Sequence, residues 1–98
     1  MFKVKPEFPE TIEEVLLLAG YQIHFKDEDV CSLVPKDKNS RRRPICIQQK
    51  PGPLGISSEI IAKYLFDAEI FEESQYADLL AKVKAKQKAD HEVQTKGL

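Results

Sequence analysis

The segment Lys50-Pro51-Gly52-Pro53-Leu54-Gly55 constrains this chain more than any other. Two prolines lack a backbone donor and two glycines lack a Cβ, so neither a helix nor a strand ladder passes through it. It divides the 98 residues into parts of different periodicity. One helical stretch and then short alternating runs precede it, and only helical spacing follows it. At about 100–200 residues per domain the chain is one domain, so both parts must share one core.

Ahead of the loop, Tyr21, Ile23 and Phe25 alternate with Gln22, His24 and Lys26, which predicts a half-buried strand. Asp27-Glu28-Asp29 reads as a polar turn. Val30 to Val34 reads as a second strand stopped by Pro35, and Arg43 to Gln49 as a third. Pro44 cannot donate to a ladder, which puts it at the strand's start or on an edge. Short connections predict an antiparallel meander. On its outer face, Gln22, His24, Lys26, Cys46 and Gln48 are expected to meet water.

Helices flank these strands. Thr11-Ile12-Glu13-Glu14 has the form of a capping box, and Ile12, Val15, Leu16 and Ala19 share one helical face. Gly20 stops that helix by accepting the left-handed conformation. After the loop, Ser57 is the expected cap of a second helix, with Ile56 and Ile61 at the two positions of a hydrophobic staple. Ile60, Ile61, Tyr64, Leu65 and Ala68 are its expected buried face, and it should end near Glu69. A third helix is expected from Glu73 or Ser74, with Phe71, Tyr76, Leu79, Leu80 and Val83 as an apolar stripe for the chain's own core or a partner. It fades among Lys84, Lys86 and Lys88 into a frayed tail. The expected fold is therefore α+β: a two-layer sandwich with an α-β-β-β-α core, a three-stranded antiparallel sheet and an additional C-terminal helix. Residues 1–10 form an extended arm, 11–70 the α-β-β-β-α domain, and 71–98 the last helix and tail.

Composition excludes some classes. With 42% hydrophobic and 32% charged residues the chain is too apolar for a disordered polyampholyte. No run approaches about 18 apolar residues, so no membrane span is expected. The first residues lack a long apolar stretch, so no secretory signal is expected. Cys31 and Cys46 have no CxxC or Cys/His spacing, so the expectation is reduced thiols, no metal or cofactor, and a cytoplasmic setting. Strand pairing leaves open whether the two thiols are neighbours.

Charge is segregated. From Glu7 to Asp29 there are seven acids and only Lys26 as a base. From Lys36 to Lys50 the bases Lys36, Lys38, Arg41, Arg42, Arg43 and Lys50 oppose Asp37 alone. Arginine forks match phosphate oxygens, and phosphate neutralisation supplies most non-specific nucleic-acid affinity. These six residues are the candidate nucleic-acid-binding set. The competing reading is a solvated loop, or one that meets the acidic first helix of a second copy. His24 is the one candidate for acid–base chemistry ahead of the tail, where His91 lies, but no sequence-marked partner accompanies it. Asp27-Glu28-Asp29 lacks the spaced oxygens and glycine of a calcium loop.

From Thr11 to about Ile70 the chain resembles the HicA toxin family. The likeness is carried by the leucine-rich helix ending in Ala19-Gly20-Tyr21 and by the strand with Ile45-Cys46-Ile47. The loop Pro51 to Ile56 and the helix from Ser58 to Leu65, closing in Ala68-Glu69-Ile70, continue it. The resemblance implies a double-stranded-RNA-binding type of fold and a toxin–antitoxin setting. The family's Gly-Ser-His would fall near Glu28-Asp29-Val30, and its Pro-x-His near Gln48-Gln49-Lys50. Neither is present, so the family's mRNA cleavage and catalytic histidine do not carry over. The expected function is a non-catalytic RNA- or nucleic-acid-binding module. The alternative is a small protein-interaction or regulatory domain, dimeric in one version, and a ribonuclease using His24 is a third reading.

Overall fold

The computed structural model describes residues 2–96, with side chains as far as Lys88. In chain order the elements are α1 (Pro9–Leu18), β1 (Tyr21–Lys26), β2 (Val30–Pro35), β3 (Ile45–Gln48), α2 (Ser58–Asp67) and α3 (Glu73–Lys96). The three strands form one antiparallel sheet in the order β1-β2-β3. The α+β class and the α-β-β-β-α core with an added helix are those expected from sequence. No described helix is long and apolar enough to cross a membrane.

Apolar side chains from every element meet in one core. Ile12, Val15 and Leu16 of α1 pack with Tyr21, Cys31, Leu33, Ile45 and Ile47 of the sheet. Ile61 and Leu65 of α2 and Tyr76 and Val83 of α3 complete it. The C-terminal stripe therefore docks on the chain's own core, although Phe71 is left outside it.

Several local signals appear as the sequence implies. The Ser57 hydroxyl accepts from the Ile60 amide at 3.4 Å, and the staple residues Ile56 and Ile61 are both fully buried. Gly20 sits at φ 101 just after α1. Asp27 Oδ1 accepts from the amides of Asp29 and Val30, which closes the first turn. Ahead of α1, Glu7 and Ile56 exchange backbone hydrogen bonds, and Pro9 and Glu10 of the expected arm belong to the helix. A Cβ on Gly55 would stand 2.7 Å from the Glu7 carbonyl oxygen, so this approach requires glycine.

Other expectations are corrected. Helix α1 starts at Pro9, not after Thr11, and Phe8 caps it without a side-chain bond. Proline suits the first turn because its missing N–H has no partner there. Thr11 is instead a buried helix residue whose hydroxyl accepts from Gln87, and Glu14 pairs with Lys86. On α2, Ile60 is 36% exposed rather than buried, and the helix ends at Asp67. Helix α3 continues through Lys96 instead of fading at Lys84–Lys88; Gly97 and Leu98, the end of the expected tail, and the side chain of His91 lie outside the described residues.

The largest correction concerns β1. A bulge between Ile23 and Phe25 shifts the register, so Phe25 pairs with Ser32 and Lys26 with Cys31. An extra residue reverses the side-chain alternation beyond it. Phe25, beyond the bulge, is 53% exposed instead of buried, while Ile23, before it, keeps its register with Leu33 and faces the rim of α1 on the edge strand, 45% exposed. Lys26 leaves the expected outer set and bonds Glu13 of α1 at 2.8 Å.

Candidate interaction surface

The loop from Lys36 to Pro44 carries most of the predicted site, and its conformation separates the predicted residues. Arg43 is tied down through its main chain. Its N–H donates to the Asp67 carbonyl at 3.2 Å, and its carbonyl accepts from the Tyr21 hydroxyl at 2.7 Å. Its side chain is left exposed, as is that of Arg41.

Arg42 faces inward. Its Nη1 donates to the Ala19 carbonyl at 2.6 Å and its Nη2 to the Gly20 carbonyl at 3.4 Å. Its guanidinium lies 4.8 Å from the centroid of the Tyr21 ring, and Ser40 Oγ accepts from its Nε and its backbone N–H. The last carbonyls of a helix have no intrahelical partner and favour a cation. Arg42 therefore closes α1, and the expected cluster of three arginines does not form. Burial pushes the Tyr21 phenol up, the Arg42 charge opposes this, and Asp67 and Glu69 add to it.

Arg41 and Arg43 line a cavity of about 290 Å³ together with Phe66, Asp67, Glu69 and Phe71. Phe66 and Phe71 meet edge to face, with centroids 5.6 Å apart and planes at 64°. As residues they are 59% and 53% exposed. Between them α2 ends in a left-handed turn. The Ile70 amide donates to the Leu65 carbonyl and the Glu69 amide to the Phe66 carbonyl. Glu69 occupies φ 59, where glycine is usual. This turn brings the two rings together. In the sequence Phe71 stood out only as a member of the third helix's stripe, and Phe66 not at all. The five-residue spacing across a helix end is the one signal that could have joined them.

The remaining candidates are dispersed. Lys36 and Lys38 are exposed on the β2–β3 loop. Lys50 lies 3.7 Å from Glu28, with both side chains in solvent. His24 stands exposed at the bulge and makes no side-chain hydrogen bond among the described residues. Cys31 and Cys46 are free thiols. Cys31 pairs with Ile47 and Cys46 with Ser32, which sets the thiols on opposite faces of the sheet. Among the described residues, no group of three His, Cys, Asp or Glu side chains is gathered as a metal would need. At the β3 edge, burial pushes the Tyr64 phenol up against a backbone hydrogen bond with Gln48.

No protein-family model, no curated protein and no solved structure matches the chain, so its reading rests on its own residues.

Proposed function

We propose that this chain is a protein-interaction module that dimerises through the face built from Phe66, Phe71, Arg41 and Arg43. The observation that carries the reading is the pair of aromatic residues, each more than half exposed, beside two arginines and two carboxylates. Aromatic residues and arginine are the types enriched at interface centres. A two-fold interface uses one patch twice, so the patch must complement itself. Both signs of charge are on this face, with Arg41 and Arg43 beside Asp67 and Glu69, so a two-fold contact can pair cations of one copy with carboxylates of the other.

The test is light scattering over a concentration series. The wild-type chain should reach twice the monomer mass, and a Phe66→Ser, Phe71→Ser double variant should stay monomeric. A wild-type chain that remains monomeric throughout rejects the dimer.

Nucleic-acid binding is a second reading, favoured by one observation. Lys36, Lys38, Arg41 and Arg43 are all exposed on the β2–β3 loop, with Asp37 as the only acid within it. Replacing these cations by alanine should then reduce the salt slope of duplex RNA binding by roughly 0.7–0.9 for each phosphate contact removed. An unchanged slope removes this reading and leaves the dimer untouched.

A further inference from the structure

The arm from Phe2 to Glu7 lies against α3, and a cavity of about 410 Å³ separates them. Ligand pockets commonly span about 300–1,000 Å³. Phe2, Val4, Tyr76, Ala77 and Leu80 supply its apolar wall, with lysines and glutamates around it. Two polar atoms in this wall are unsatisfied. Among the described residues, Glu7 Oε2 and the Tyr76 hydroxyl are buried with no hydrogen-bond partner, and Tyr76 as a whole is only 5% exposed. Buried polar groups in native proteins are nearly always paired, so two orphans beside one cavity point to a missing partner.

We propose that this cavity binds a small neutral molecule with an apolar body and a hydroxyl or amide head. The head follows from the two oxygens. A hydroxyl or amide can accept from the Tyr76 O–H and donate to Glu7 Oε2 at once. Burial and the Glu7 charge push the Tyr76 phenol up to about 12, so it is a donor at neutral pH. An anionic head would meet the Glu7 carboxylate. A cationic head would meet Lys84, which already bonds Glu7 Oε1 at 2.7 Å, and Lys3 and Lys5 nearby. Phe2 lines the same cavity, its ring 5.9 Å from that of Tyr76. Neither orphan oxygen is open to solvent, so a bound head reaches them only by displacing a neighbouring side chain. No residue of this cavity belongs to the Phe66–Phe71 face, and the inference does not depend on the dimer.

The experiment compares p-cresol with toluene, which differ by one hydroxyl, in NMR titrations of the full chain. Both should shift the amides of Val4, Tyr76, Ala77 and Leu80. The hydroxyl should make p-cresol bind about tenfold more tightly. Tyr76→Phe should bring the two affinities to within about twofold, and unchanged toluene shifts would show that the cavity is intact. Ala77→Phe should fill the space and abolish both. Equal affinities in the wild-type chain, or no saturable shift with p-cresol, overturn the proposal, since the space then holds only water. A preference that survives Tyr76→Phe also overturns it. If that variant fails to fold, the wild-type comparison alone decides.

Discussion

The Arg42 guanidinium lies over the face of Tyr21, 4.8 Å from the ring centroid, while its Nη1 donates to the Ala19 carbonyl at 2.6 Å. One side chain thus joins the β2–β3 loop, the start of β1 and the end of α1. Tyr21 completes the clamp through its hydroxyl, which donates to the Arg43 carbonyl.

Arg42→Ala should therefore behave as a stability variant. A hydrogen bond from a charged donor contributes about 1.5–3 kcal/mol, and the contact with the ring about 0.5–1 kcal/mol. A loss of about 2–4 kcal/mol is expected in chemical denaturation. In the Phe66→Ser, Phe71→Ser background, where no dimer is expected, Arg41→Ala and Arg43→Ala should stay within about 0.5 kcal/mol of their parent. Lysine at position 42 should not restore the loss, because it lacks the planar fork. Equal effects at all three positions would contradict the inward placement of Arg42.

Glu69→Gly should stabilise the fold. A side chain at φ 59 is strained where glycine is not, and the expected gain is about 1 kcal/mol. The midpoint of guanidinium unfolding measures it. A lower midpoint would mean that the Glu69 carboxylate holds the turn beside Arg41 and Arg43.

Stability should fall at alkaline pH. Burial, followed by the neighbouring Glu13, pushes the Cys31 thiol from 9.0 up to about 12. Burial and then Glu7 push Tyr76 from 10.0 up to about 12. Lys26 is also raised, chiefly by its hydrogen bond to Glu13. In each case the folded state keeps a proton that the unfolded chain has released. Stability is thus complete below pH 9.0 and declines as the pH rises toward 12. Urea midpoints across this window should drop steadily, and Cys31→Ala should delay the onset to about pH 10, where the Tyr76 phenol of the unfolded chain begins to ionise. A flat wild-type midpoint between pH 9 and 10 would contradict the burial of Cys31.

The two thiols should react differently. Cys46 is exposed and Cys31 fully buried. An aromatic disulfide reagent should label one thiol quickly in the native protein and the second only at the rate of unfolding. Rapid labelling of both would show that β2 opens without global unfolding.

Much of the fold was legible because its signals are local. Ser57 with Ile56 and Ile61, and Ala19 with Gly20, mark helix ends through backbone preferences that a few residues carry by themselves. Pro35 and the proline–glycine loop limit strands in the same way. The start of α1 was misplaced because Thr11 and Glu14 have the right types for a capping box, yet Pro9 begins the helix and Gln87 and Lys86 of α3 occupy their side chains. The candidate site was less legible. Charge alone made Arg41, Arg42 and Arg43 equivalent, and only the end of α1 singles out the middle one.

Amino-acid order by itself determined the number, type and sequence of the elements, since φ/ψ preferences and apolar spacing act over a few residues. Tertiary structure decided the bulge in β1, the inward turn of Arg42, the meeting of Phe66 with Phe71 and the orphan oxygens of Glu7 and Tyr76. Each of these depends on a partner brought in from a distant part of the chain or across a helix end. Packing, unlike propensity, is set only when those partners arrive.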